Sequence, residues 1–236
     1  MMGCRTHHEL IETGELTEAD ISADQFVDML PDYTGSLETV SGNGRAFISQ
    51  PGNSDRVSID FHSNREETLI TFRNRIGIEG GQLLVKNDSV LVYNRIDKIA
   101  EQVSLSDADL TEVGSLATIN LVELFHYPLD RGSVDQVFQD ERYYVASTTD
   151  GSRITAEKET GTMVDLQIAS GSDAPYSRIS YESYERLNGF YLPKKITIFS
   201  ADGNTRVTLL VRQLEVNRQL PPLEISIPDE IPILVL

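Results

Sequence analysis

The chain has 236 residues, one cysteine and a formal net charge of −17, with 37 acidic side chains against 20 lysines and arginines. One cysteine excludes an intrachain disulfide framework and a cysteine-rich zinc site, and a field of that sign repels phosphate backbones, which excludes nucleic acid as a partner. The lysines are only Lys86, Lys98, Lys158, Lys194 and Lys195; such an acidic, lysine-poor surface suits a high-salt medium, where screening removes self-repulsion, and equally suits an ordinary soluble surface.

The chain opens on "MMGC", followed by the polar run "RTHHELIETGELTEAD". A thiol in a terminal tail has nothing nearby to pack against, so Cys4 asks for an explanation other than core packing. Met1, Met2 and Gly3 leave no room for the charged and apolar regions of a signal peptide; if Cys4 is a lipidation site, the export signal has been trimmed or lies upstream. Residues 1–16 read as a flexible tether and 17–236 as a single domain, because no linker or composition shift divides the rest.

"TEADISADQFVDMLPDY" reads as a short helix: Thr17 is its expected cap, acids crowd the first turn, and Ala23, Phe26, Val27 and Leu30 share a face before Pro31 stops it. The period then changes from helix to strand. "GNGRAF" lacks the third glycine of a dinucleotide fingerprint and reads as a bend entering a strand. In "RVSIDFHS", Val57, Ile59 and Phe61 alternate with Arg56, Ser58, Asp60 and His62, the pattern of a strand with one dry face. "ETLITFRNR", "IEGGQLLVK" and "VLVYNRIDKI" follow with short turns between them, and "AEQVSLS" can continue the sheet. Gly80-Gly81 inside a strand predicts a bulge or a bend, as a strongly curved sheet needs.

"GSLATINLVELFHYPLD" interrupts the strands with Leu116, Ile119, Val122 and Phe125 at near-helical spacing, ended by Pro128. Strands resume with "VDQVFQDERYYVAST", "RITAEKE", "TMVDLQIAS", "YSRISYESYERL", "FYLPKKITIFS" and "TRVTLLVRQLEV"; Asp150-Gly151, Asn188-Gly189 and Asp202-Gly203 are hairpin turns. No stretch reaches the roughly 20 apolar residues of a membrane-spanning helix, and the terminal "PILVL" is too short to anchor anything. The fold class is mainly β (α+β): about eleven antiparallel strands in a meander. A sheet that long curls into a barrel or an open half-barrel, with the helices on its concave face.

Catalytic signals are missing. His7 and His8 sit in the tail, His62 ends a strand and His126 lies at a helix end before a proline, so no pair has metal-ligand spacing within an element, and surface or helix-capping roles fit them best. "SDADLTE" lacks the glycine and glutamate of a calcium loop, and no nucleophile elbow, Walker loop or zinc-protease helix occurs. The tyrosines Tyr143, Tyr144, Tyr176, Tyr181, Tyr184 and Tyr191 gather in the second half and read as sheet packing. Nothing argues for an enzyme, a cofactor or a metal.

"TLITFRNRIGIEGGQLLVKNDSVLVYNRIDKIAEQ" resembles the central part of an uncharacterised Gram-negative lipoprotein family with the LolA/LolB lipoprotein-sorting fold, and "ISYESYERLNGFYLPKKITIFSADG" with "VRQLEVNRQLPPLEISIP" resembles its closing strands. The resemblance implies a half-barrel whose inner side, lidded by helices, holds lipid or the acyl chains of lipoproteins in a periplasmic monomer tethered at the inner leaflet of the outer membrane. By alternation, one face of the implied lining is Val57, Ile59, Phe61, Ile70, Phe72, Val90 and Val92; the same residues would serve equally well as packing for the helices. Ile76, before Gly77 and between Arg73 and Arg75, matches the apolar tip residue with which LolB-like proteins touch the membrane, and a turn-packing isoleucine is the plainer reading. "GC" matches the end of a lipobox, which makes Cys4 the implied acylation site. The competing expectation is a filled barrel that serves an envelope complex as an accessory subunit, with no small ligand.

Overall fold

The computed structural model describes residues 13–74, 76–86, 89–104, 120–172 and 174–235. Cys4, His7, His8, most of the expected tether, Leu116, Ile119 and the "SDADLTE" run lie outside the described residues. The strands are β1 (Thr17–Glu18), β2 (Thr39–Gln50), β3 (Asn53–Asn64), β4 (Glu67–Arg73), β5 (Glu79–Lys86), β6 (Ser89–Asn94) and β7 (Ile99–Ser104), then β8 (Val134–Gln139), β9 (Tyr143–Thr148), β10 (Arg153–Glu157), β11 (Met163–Gln167), β12 (Tyr176–Leu187), β13 (Phe190–Ser200), β14 (Arg206–Val216) and β15 (Ile233–Val235). The helices are α1 (Ala23–Met29) and α2 (Leu121–Phe125).

All fifteen strands form one open sheet, in the order β1-β8-β9-β10-β11-β12-β13-β14-β2-β3-β4-β5-β6-β7-β15. Two consecutive meanders, β2 to β7 and β8 to β14, are therefore joined where the last strand of the second pairs with the first strand of the first. Pairing is antiparallel throughout except for β15, which runs parallel to β7. The excess over the expected eleven has local causes. "VDQVFQDERYYVAST" is a hairpin, β8 and β9, turned at Asp140, whose carboxylate accepts from the N–H groups of Arg142 and Tyr143 at 2.7 and 2.6 Å. Thr17 does not cap α1. Ser22 does, in a reciprocal capping box with Gln25, while Thr17 and Glu18 pair with β8 at the sheet edge.

The glycine pairs have structural work in the ladder. The register slips between Phe72 and Arg73, leaving Gly80 as the extra residue of a bulge, as the sequence predicts. "GNGRAF" is no bend at a strand entrance: Gly42, Asn43 and Gly44 sit inside β2, opposite a slip between Val211 and Gln213 of β14. A Cβ on Gly42 would fall 2.1 Å from the Gln213 carbonyl oxygen and 3.0 Å from the Phe61 ring. Glycine is what lets the bulged strand and that ring close over the backbone.

One face of the sheet carries the main core. Ile59, Phe61, Ile70, Leu83 and Val90 from the first meander join Ile154, Leu166, Ile179, Ile196, Val207 and Leu209 from the second, and α1 (through Phe26) and α2 (through Leu121, Leu124 and Phe125) pack on this same face. The opposite face of β4 to β6 is covered by the segment after β14: Leu220, Leu223 and Ile225 lie against Leu69, Leu84 and Leu91, and Ile225, Ile227 and Ile231 lie against Tyr93 and Ala100. No described helix is long and apolar enough to cross a membrane.

Candidate functional site

The chain leaving α1 at Leu30-Pro31 cannot continue as helix and crosses toward β2. On that path it is latched to three elements. The Tyr33 N–H donates to Nε2 of His126, the residue ending α2, at 2.9 Å; the Tyr191 N–H on β13 donates to the Tyr33 hydroxyl at 2.9 Å; and the Arg65 guanidinium donates to the Leu37 carbonyl at 3.0 Å. The Tyr33 ring meets His126 and Phe190 with centroids 5.1 and 5.0 Å apart. At its other end α2 is capped by Asn120, whose carboxamide also donates to the Asn64 carbonyl at 2.8 Å and so ties the helix to the β3–β4 turn. Gly161, at positive φ in the β10–β11 turn, seats against the end of α1, where a Cβ would lie 2.8 Å from the Met29 carbonyl oxygen.

Between this lid and strands β11 to β13 lies a cavity of about 370 Å³. Val27, Leu30, Phe125, Leu129 and Met163 give it apolar walls, and Tyr33, Tyr127, Tyr181, Tyr184 and Tyr191 give it phenols. Burial raises the pKa of Tyr127 and Tyr181, pushes that of nearby Tyr176 up to about 12, and raises that of Tyr184, so all four stay protonated donors at neutral pH. Tyr184 donates to the Met163 carbonyl at 2.5 Å. The hydroxyl of Tyr181, a residue only 3% exposed, has no hydrogen-bond partner among the described residues. His126 is neutral here: burial lowers its pKa, outweighing the pull of Asp32 at 3.7 Å, and Nε2 accepts from Tyr33, which leaves the proton on Nδ1.

A second, more open groove of about 1410 Å³ shares Thr162, Tyr181, Tyr184 and Tyr191 with the cavity and continues over polar strand residues such as Ser180, Thr197 and Thr208. Three of its cations are ion-paired: Lys195 with Glu182 at 2.7 Å, Arg178 with Asp165 at 2.5 Å and Arg142 with Glu157 at 2.8 Å.

The seven residues chosen by alternation all lie on the core face in one cluster: Ile59, Phe61, Ile70 and Val90 are buried, and Val57, Phe72 and Val92 are packed against them. Phe61 meets Phe125 of α2 with ring centroids 6.0 Å apart. None of the seven lines the cavity or the groove. Ile76 stands on the β4–β5 tip, 79% exposed, where the Asn74 side chain accepts from the N–H groups of Ile76 and Ile78 at 3.0 Å each. The β6–β7 tip, at the same end of the sheet, repeats the device: Asn94 accepts from Ile96 at 3.0 Å, and Ile96 is 73% exposed. The shared "NRI" of residues 74–76 and 94–96 was the signal for this pairing. The cavity had a fainter one, the gathering of tyrosines, which covers Tyr181, Tyr184 and Tyr191 but not Tyr33 or His126.

No protein-family model and no curated protein sequence matches the chain. Solved structures do. A DUF1329 family protein from Desulfovibrio piger superposes with a TM-score of 0.57 at 15% identity, covering 84% of this chain and 93% of that one. An outer membrane lipoprotein-sorting protein domain from Vibrio parahaemolyticus gives 0.55 at 11% identity, covering 84% and 92%. A LolA superfamily protein from Nitrosomonas europaea gives 0.53 at 14% identity, covering 85% and 96%. The chain has the LolA/LolB-like fold.

Proposed function

We propose that the protein is a non-enzymatic cell-envelope protein that binds lipid, or the acyl chains of lipoproteins, inside the half-barrel. It would serve lipid or lipoprotein transport or localisation from the periplasmic side of the outer membrane, as a monomer held there through Cys4 and the tether of residues 1–16. The observation that carries this reading is the cavity of about 370 Å³ under the lid, walled by aliphatic side chains and phenols together with Asp28, Asp32, His126, Arg131 and Thr162, a size and a mix of apolar and polar groups that fit a small ligand. The name of one fold neighbour, an outer membrane lipoprotein-sorting protein domain, agrees with it. Val57, Ile59, Phe61, Ile70, Phe72, Val90 and Val92 are then the continuation of the binding surface, reached when α2 moves off Phe61, and Ile76 is the membrane contact.

A second reading, a filled accessory subunit of an envelope complex, is favoured by one observation: those seven residues are packed in the core cluster. Native mass spectrometry of the chain purified from a Gram-negative host, followed by organic extraction, separates the two. Co-purifying acyl lipid that is lost on Leu129→Trp, a substitution that fills the cavity, supports the carrier. A bare protein mass that takes up no added fatty acid or lipopeptide leaves the accessory subunit.

A further inference from the structure

One apolar motif still has no role, the terminal "PILVL", too short to anchor anything on its own. It supplies β15, the last strand of the sheet, which has no strand on its outer side among the described residues. A strand with one dry face alternates between buried and exposed, but Ile233, Leu234 and Val235 are 46%, 48% and 79% exposed, so β15 is open on both faces. Sheets blunt their edges with short, polar or charged strands, as the opposite edge does with Thr17 and Glu18 of β1. An aliphatic edge asks for a partner.

Its surroundings say which one. β15 runs parallel to β7 and begins with Ile233 beside Ala100, just past the β6–β7 tip at Lys98. At about 3.3 Å per strand residue, Val235 is only about 7 Å further along. That tip carries Ile96, whose Cδ1 lies over Gly80 of β5, where a Cβ would be 3.6 Å away, and Ile76 and Ile78 stand on the neighbouring β4–β5 tip. With Ile99, the first residue of β7, these are the large apolar side chains that stand exposed among the described residues, and all of them share this one corner of the sheet. Protein interfaces are anchored by Trp, Tyr and Arg seated in pockets. Here the exposed groups are Ile, Leu and Val on protruding tips and an edge, and none of them lines the cavity or the groove. Arg73 and Arg95 are ion-paired with Asp60 and Glu79, and Asp97 and Lys98 offset each other in charge. A charge-balanced aliphatic surface suits the boundary of a bilayer, which needs no matching pocket and whose headgroup layer is wet enough to solvate the free ladder groups of an edge.

Resting on the reading of Ile76 as the membrane contact, we infer that the contact is this whole corner, with β15 lying against the bilayer surface beside the two tips, so that the sheet meets the membrane along its β7–β15 edge. The chain has no tryptophan, so a single introduced one reports only its own site. Ile76→Trp, Val235→Trp and Thr17→Trp, each in the full chain, are mixed with phosphatidylcholine vesicles that contain a bromine-labelled phosphatidylcholine, at physiological salt. Emission from positions 76 and 235 is expected to be quenched, and emission from position 17, on the opposite edge, to be unchanged. Changing Leu234 and Val235 together to serine is expected to lower partition onto the vesicles about tenfold in co-sedimentation. Quenching at 76 without quenching at 235, or partition indifferent to the double change, overturns the inference while the tip contact stands. Quenching at all three positions also overturns it, because the contact would then not be confined to one corner. Quenching at neither 76 nor 235 overturns the membrane-contact reading of Ile76 itself.

Discussion

His126 closes the lid by accepting a hydrogen bond in its neutral form rather than by carrying a charge. Its Nε2 takes the Tyr33 N–H at 2.9 Å, so protonation at that nitrogen removes the latch between α2 and the segment after α1. Burial is the largest influence on it and lowers its pKa; Asp32 opposes, and Arg65 adds a smaller push in the same direction as burial. The sign for stability follows. With the folded pKa below the unfolded one, the stabilisation is complete above the ordinary histidine range, near 6.5, and is lost as pH falls through the folded value, because the unfolded chain takes up the proton first. His126→Gln keeps a side-chain acceptor for Tyr33 and removes the titration. Urea midpoints measured at pH 7.5 and 5.5 are expected to drop for wild type by more than for His126→Gln; equal drops would remove His126 as the cause.

Among the elements, those with period two were legible and those made by extended chain without a ladder were not. β3 to β6 alternate cleanly, and the glycine turns at Gly151, Gly189 and Gly203 take the positive φ that their sequences announce. β8 and β9 hid as one strand because their turn uses an aspartate carboxylate in place of a glycine, and β1 is two residues long. The cavity was harder to read, since Tyr33, His126 and Tyr181 come together through long-range pairings, of β1 with β8 and of β14 with β2, which no local period encodes. The segment after β14 shows the same limit. Leu223, Ile225 and Ile227 alternate like a strand, but Pro221, Pro222 and Pro228 remove ladder donors, and the segment covers the outer face of β4 to β6 instead. Leu223 is 9% exposed against Leu69 and Leu84, so Leu223→Ala should cost about 2–3 kcal/mol in denaturant unfolding. A loss under about 0.5 kcal/mol would mean that this cover contributes little beyond what surface substitutions do.

At the scale of the whole molecule, the charge of −17 opposes approach to an anionic bilayer, yet the end of the sheet that carries the two "NRI" tips is locally balanced. Arg73 is paired with Asp60 and Arg95 with Glu79, while Ile76, Ile78 and Ile96 stand 79%, 58% and 73% exposed. Contact there would be driven by apolar insertion, and the rest of the molecule would act as a repulsive background. The two contributions differ in range. At about 0.01 M salt the screening length is roughly 30 Å and the whole acidic surface is felt at the membrane; at about 0.15 M it is roughly 8 Å and only the balanced tips count. Partition onto phosphatidylglycerol vesicles should therefore rise with salt over that interval, the reverse of binding through a basic patch, while partition onto zwitterionic vesicles should stay nearly flat. Changing Ile76 and Ile96 together to serine removes two inserting side chains at solvent-exposed sites, where the fold does not depend on them, and should lower partition about tenfold on both vesicles. Co-sedimentation reads both effects: binding that falls with salt would point to cationic attraction, and binding indifferent to the double substitution would move the membrane contact away from the tips.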